Sequence, residues 1–282
     1  MVKTFTLIIF LASIFLFSQN HRFMYSYKYL PDSTKIDSIL TEETILEIFK
    51  DHSEFVSNST VKYDSAMISA AKNNKGPETV TLTKGNFKNN VYKSRNLQYS
   101  IEFVGIQPYK VVQKPIVNWK LTNETKTIQK YICQKATLEF GGRIWEAWFT
   151  QEIPFQDGPY IFSNLPGLII EMNDSKKHYS FILTENFKTD NTESYISDKQ
   201  FFKSYEVSAD QFNKKWKEFY KNPIGAMEQF MNMNPGVFSG QRFDLNGKEI
   251  DYSQSKREEK INAQKQLVQN NNPINLNLYK VD

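Results

Sequence analysis

From Cys133 to Thr150, apolar and polar residues alternate on either side of a Gly141-Gly142 pair, and this alternation predicts the first element of the fold. Two adjacent glycines supply the positive φ angles of a tight hairpin turn. A two-residue loop sets Phe140 opposite Arg143, Leu138 opposite Trp145, Ala136 opposite Ala147 and Gln134 opposite Phe149, all on one mostly apolar face. The other face carries Glu139 with Ile144, Thr137 with Glu146, Lys135 with Trp148 and Cys133 with Thr150. A slip of one residue would exchange the faces, so the pattern specifies the register. One face is expected on a core and the other partly wet, in an antiparallel sheet.

The same reading extends along the chain. Pro154 and Asp157-Gly158-Pro159 end the second strand. Within Asn164-Leu165-Pro166-Gly167-Leu168-Ile169, Pro166-Gly167 suits the central pair of a type II turn. Asn164 is one of the few non-glycine residues that tolerate a left-handed backbone. A strand over Ile169–Met172 should turn at Asn173-Asp174-Ser175 and return through Tyr179–Phe187. Upstream, Phe23, Tyr25, Tyr27 and Tyr29 alternate in a first strand over Arg22–Leu30, while Thr41–Val56 reads as either a helix or a strand pair. Tyr63, Met67 and Ala71, four apart, predict a short helix over Val61–Lys72, and short strands follow between Thr79 and Val117. Downstream, Ser208-Ala209-Asp210-Gln211 has capping-box spacing. Phe212, Trp216, Phe219 and Tyr220 then fall on one helical face, which Asn222-Pro223 stops. Ile224–Met233 suits a shorter helix, Asn246-Gly247 a turn, and Ser253–Gln269 an exposed helix or a disordered tail.

The expected fold is mainly β (α+β): a strongly curved antiparallel meander sheet or half-barrel, with one or two helices packed on or closing its concave side. Its organisation reads as a signal peptide (1–18), a β-rich single domain (19–235, including the helix 208–221) and a polar C-terminal extension (236–282). Lys3 followed by the apolar run Phe5–Phe17 has the size of a secretory signal and is shorter than the roughly 20 residues of a membrane span. With no cysteine near the expected cleavage at Ser18 or Gln19, a lipid anchor is not expected. The mature chain should be periplasmic or extracellular, with no transmembrane span. A net charge of +4, scattered along the chain, argues against a nucleic-acid partner. The single cysteine cannot form an intramolecular disulfide. The abundant phenylalanine and tyrosine suit an aromatic core or an apolar ligand cavity.

Chemistry is sparse. There is no His-Glu-x-x-His, no cysteine pair with metal spacing, no Gly-x-Ser-x-Gly and no phosphate loop, so no metal or cofactor is expected. Cys133 as a nucleophile would need a base and an electropositive setting, which Thr150 opposite does not offer. His52 and His178 sit in polar surroundings and read as surface residues, and His21 as mobile. Arg143 beside tryptophans can stack or bind a carboxylate. Glu139 and Glu146 share a hairpin face, as an acid-base pair requires. The bland alternative has Arg143 snorkelling at the hairpin tip and the glutamates balancing Lys135.

These residues also carry a resemblance. Tyr131, Cys133 and Ala136, then Gly142, Arg143, Trp145, Ala147 and Trp148, then Ile153, Pro154, Gly158, Pro159 and Tyr160, and finally Asn164–Ile169 follow in order the pattern of the GLPGLI family of exported Bacteroidetes proteins. Asn164 stands where the naming motif has its first glycine. The similarity covers about residues 22–190, with a fainter echo at Asn272-Pro273-Ile274. It implies export, a β-rich fold and a strand pair around Leu46, Ile48 and Phe55. It implies no reaction, because the family has no established activity. The leading expectation is a non-catalytic binding module of the cell envelope, holding an apolar ligand or an extended partner segment. Arg143, Trp145, Trp148, Asn164, Leu165, Pro166, Gly167 and Leu168 form its candidate binding or structural motif. The alternatives are an accessory or assembly protein of an outer-membrane complex, binding through exposed strand edges, and a carboxylate-dependent hydrolase using Glu139 or Glu146 with Arg143.

Overall fold

The computed structural model of the chain describes residues 20–190, 192–198, 204–233 and 252–281. The expected signal peptide and the Asn246-Gly247 turn lie outside the described residues. The first meander comprises β1 (Asn20–Tyr29), β2 (Leu40–Ile48), β3 (His52–Ser57), β4 (Val91–Ser94), β5 (Gln98–Val104) and β6 (Gln107–Gln113). The second comprises β7 (Lys120–Ile128), β8 (Tyr131–Phe140), β9 (Arg143–Thr150), β10 (Leu168–Asp174) and β11 (Tyr179–Thr189). A short β12 (Tyr205–Val207) follows, and the helices are α1 (Asn58–Lys72), α2 (Tyr195–Asp198), α3 (Ala209–Lys221), α4 (Gly225–Met233) and α5 (Tyr252–Gln269).

All the strands join one open sheet in the order β12-β6-β5-β4-β3-β2-β1-β11-β10-β9-β8-β7. Thr41–Val56 is therefore a strand pair, not a helix. The two meanders meet along the antiparallel seam between β1 and β11, which runs from Asn20–Thr189 to Tyr29–Tyr179 with a bulge at Met24/Tyr25. The added strand β12 pairs parallel to β6. The fold is mainly β, a large antiparallel-dominated sheet with packed helices, as its alternating pattern predicts.

Alternation along each strand sorts the residues into two layers. On one face Phe23, Tyr25, Tyr27, Leu46, Phe55, Trp145, Met172 and Phe181 form the main core. A loop closes the middle of this face: Tyr160, Ile161, Phe162 and Leu165 from the β9–β10 connection are buried in it. At the β5–β6 end the same face is covered by α3, whose Phe212 packs on Val111, in the cross-strand row of Phe55, Val91 and Ser100, so a helix packs on the core side as expected. Aromatic residues cover far more area than the small side chains Ala66, Ala70 and Ala71 of α1. That helix lies on the opposite face, where Val61 packs with Met24, Ile45 and Val56. It starts at Asn58 because Ser57 caps it, accepting from the Thr60 amide at 3.2 Å.

At the other end of the sheet, the predicted capping box of Ser208 and Gln211 opens α3. Phe212 packs there with Val111, Val207 and Leu278 in a second core. Tyr220, expected on the packed face, is more than a third exposed. The last segment of the chain is docked: Ile274 belongs to the main core and Leu278 to the second.

Candidate functional site

The hairpin has the expected register, from Gln134–Phe149 to Phe140–Arg143. Gly141 and Gly142 take φ values of 63° and 75°, the paired positive angles of a type I′ turn. Trp145 is fully buried and donates its indole N–H to the Phe140 carbonyl at 3.1 Å. Trp148 faces the other way, lying 4.2 Å beneath the Lys126 ammonium and donating to Glu146 at 3.0 Å.

Arg143 does not snorkel. Its side chain is 3% exposed and uses its whole guanidinium fork. Nη1 donates to Asp174 Oδ2 at 3.0 Å, Nη2 to Asn272 Oδ1 at 2.6 Å and to the Pro273 carbonyl at 2.8 Å, and Nε to the Ile274 carbonyl at 3.1 Å. The Tyr179 ring packs 4.7 Å from its central carbon. Arg143 thus clamps the Asn272-Pro273-Ile274 segment. Glu139 and Glu146 are on the opposite face of the hairpin, so they cannot converge on Arg143. Glu139 is exposed. Glu146 is held by Lys135 at 2.9 Å, and hydrogen bonds from Lys135 and Trp148 outweigh its partial burial to lower its pKa. No hydrolase centre forms from these three residues.

The connecting loop is fixed by polar anchors. Buried Lys93 binds Asp157 and donates to the Gly158 carbonyl at 2.7 Å, while Ser53 donates to Asp157 at 2.5 Å. Asn164 takes φ 67° as predicted, and its side chain donates to the Ile116 carbonyl at 2.8 Å. The type II turn is not formed. The Gly167 amide bonds back to the Leu165 carbonyl at 2.8 Å, making a three-residue turn about Pro166. Leu168 then donates to the Ile153 carbonyl at 3.2 Å. Gly167 has φ 147° and lies against the Thr150 backbone. Leu165 and Leu168 are buried in the core, whereas Asn164 and Pro166 are exposed. The eight candidate residues are therefore divided among the core, the outer face and the surface.

The histidines differ from their surface reading. All three are half-buried. His21 rests on Phe155 with ring centroids 4.8 Å apart. His52 is stacked between Phe49 and Tyr92 at 4.5 and 4.9 Å.

Cys133 is buried, and burial pushes its thiol pKa up to about 11. It should resist iodoacetamide at pH 8 in the folded chain and react fully once unfolded, which intact-mass measurement would reveal. Alkylation of the folded chain at the unfolded rate would contradict its buried placement.

The short strands expected between Thr79 and Val117 include β5, but the sequence assigned it no faces. Its apolar residues Tyr99, Ile101 and Phe103 suggest the core face, but Gln98, Ser100 and Glu102 are the buried ones. The inversion follows from what meets them. Glu102 accepts from Asn89, from Ser100 at 2.6 Å, from Tyr279 at 2.7 Å and, at longer range, from Tyr160 at 3.5 Å. No local signal marks Tyr160 and Tyr279, which lie 58 and 177 positions away. Burial pushes the Glu102 carboxyl above its usual 4.5 despite these donors. The folded chain therefore binds the extra proton, and this contribution to stability is present at low pH and lost as pH rises through the folded pKa. Relative to the parent, Glu102→Gln should gain stability as pH rises above 4.5, read as a urea midpoint difference that increases with pH. A pH-independent difference would refute this.

The inversion leaves an aromatic row on the outer face. Tyr92 and Tyr99 are cross-strand partners with rings 5.0 Å apart and 9° from parallel. His52 continues the stack on one side, and the Lys110 ammonium lies 4.6 Å from the Tyr99 ring on the other. All four residues are half-buried.

Among the described residues, no group of three or more His, Cys, Asp or Glu side chains is arranged to hold a metal. No described helix is long and apolar enough to cross a membrane. The sequence profile described as N-glycanase peptide, N-terminal domain, matches residues 32–208. No curated protein matches the chain. Two crystal forms of PNGF-II are similar, each at 17% identity and a TM-score of 0.46 over 70% of this chain. The chain covers 33% and 32% of those structures, so it spans about a third of their length.

Proposed function

The chain belongs to the family of N-glycanase peptide, N-terminal domains, and on that premise we propose that it works as a non-catalytic binding module for an extended polypeptide segment. The observation that carries this reading is the outward aromatic row of His52, Tyr92 and Tyr99 on β3–β5, ending at Lys110. Flat rings with a terminal cation suit the apolar and acidic side chains of an extended chain. The packed core face favours a partner segment over an apolar ligand, because the chain's own Tyr160, Ile161, Phe162 and Leu165 occupy that side. The structural bonding of Arg143 and Glu146 and the burial of Cys133 support a non-catalytic role. For a domain of an N-glycanase family, such a module would hold a glycoprotein chain. The apolar run Phe5–Phe17 supports export as part of the same proposal.

Biolayer interferometry with a reduced and alkylated glycoprotein, beside its native form, tests the reading. The unfolded form should bind, and the double variant Tyr92→Ser, Tyr99→Ser should weaken binding at least tenfold. A cross-strand pair contributes roughly 0.2–1 kcal/mol to stability, so this variant should still fold. Equal signals for the variant and the parent, or no binding of the unfolded form, would sink the proposal.

A further inference from the structure

The loop over the middle of the core is tied to β4 through Lys93 and Asp157. Lys93 and Ser53 are cross-strand partners on β4 and β3, so their side chains reach Asp157 side by side. The Lys93 side chain is 6% exposed and that of Asp157 15%. Lys93 Nζ donates to Asp157 Oδ1 and, at 2.7 Å, to the Gly158 carbonyl. Each carboxylate oxygen also has a neutral donor of its own. The Gly158 amide donates to Oδ1 at 2.7 Å, and the Ser53 hydroxyl to Oδ2 at 2.5 Å. Gly158 lies close against Ile169, where an added Cβ would come within 2.6 Å of that side chain. Burial pulls the Lys93 ammonium below the usual lysine range, against the attraction of Asp157, and a desolvated lysine is a nucleophile.

We infer that Lys93 and Asp157 are joined in an isopeptide bond, a covalent clasp between β4 and the β9–β10 connection. Nζ attacks Cγ of Asp157, and the C–N bond forms as the bond from Cγ to Oδ2 breaks. Of the three ammonium protons, two leave with Oδ2 as water and one stays on the new amide. The step is a condensation within one chain and uses no oxidant, reductant or cofactor. Each neighbour has a part in it. The Gly158 amide holds Oδ1, which becomes the new carbonyl oxygen, and the Ser53 hydroxyl supports the departing Oδ2. The Gly158 carbonyl orients the amine and then accepts from the new amide N–H. Groups held in contact in this way react at effective concentrations that reach about 10⁵–10⁸ M, and burial keeps out the water that would reverse the step. With a single cysteine, the chain has no disulfide of its own to secure this loop. The clasp lies on the core face and is independent of the outer aromatic row.

Intact-mass measurement of the denatured full-length chain, followed by tryptic mapping, tests the bond. The parent should weigh one water less than its sequence requires, and Lys93→Arg should show no such deficit. Trypsin should fail to cut after Lys93, leaving residues 89–95 joined to residues 144–176. In newly synthesised chain, Ser53→Ala should slow the linking about tenfold or more. Equal rates in this variant and the parent would overturn the part given to the hydroxyl. A cyclic imide at Asp157-Gly158 would also lose one water, but it would persist in Lys93→Arg and leave the two peptides separate. That result, or separate peptides from a parent kept folded for a week, would overturn the clasp.

Discussion

Arg143→Ala should cost about 3–5 kcal/mol of folding stability, the usual consequence of removing one partner of a buried ion pair. The reason lies in what remains. Asp174 would stay buried with only the Tyr179 amide, at 2.8 Å, as donor. The Asn272 side chain and the Pro273 and Ile274 carbonyls would also lose their donors at once. Arg143→Lys keeps the charge but gathers its donors on one nitrogen. It should fall between the alanine variant and the parent. Urea unfolding gives the global cost. Hydrogen exchange at the Leu276 amide, bonded to Gly141, shows whether the C-terminal segment has been released. A loss under about 1 kcal/mol, with Leu276 still protected, would mean that this segment is held by its apolar contacts and not by the guanidinium.

That clamp also marks where sequence reading stopped. The hairpin was legible because its information is local. A Gly-Gly turn and a period-two pattern fix the register between residues only a few positions apart, and every predicted pair from Gln134–Phe149 to Phe140–Arg143 forms. The capping box at Ser208 was legible for the same reason. The partners of Arg143 were not, because Asn272 lies 129 positions away and reads locally as a loop. Asn272-Pro273-Ile274 did stand out as a faint echo of the shared pattern, but nothing in it named its receptor. The facing of β5 was not legible for a related reason. Its alternation was real, but its phase was set by hydroxyl partners such as Tyr160 and Tyr279. Where polar residues find such partners in the interior, the apolar set faces outward, and pattern alone assigns the wrong side. The outer aromatic row was therefore invisible as a row, although each of its residues stood in plain view.

Gly167→Ala should be about as damaging, with an expected loss above about 4 kcal/mol, in the range reserved for a few named mechanisms such as strain at a special backbone position. An added Cβ would sit 1.9 Å from the Thr150 carbonyl oxygen and 2.6 Å from its carbon. Both are backbone atoms of β9, so no side chain can turn aside. At φ 147° a substituted residue is strained even without the overlap. Relief would require separating β9 from β10 where Thr150 pairs with Leu168, which would pull Leu165 and Leu168 from the core. Gly142→Ala provides the comparison. It also has a positive φ, but its nearest neighbour is the Leu276 Cβ at 3.2 Å, a contact that a shift of a few tenths of an ångström relieves, so its cost should stay near 1 kcal/mol. Asn164→Gly keeps the left-handed backbone and loses the bond to Ile116, which is worth about 1 kcal/mol. Thermal and urea unfolding should therefore rank Gly167→Ala far below the other two. Similar losses for all three would show that the turn about Pro166 tolerates displacement, and that the close approach of Gly167 to Thr150 is not what fixes the loop over the core.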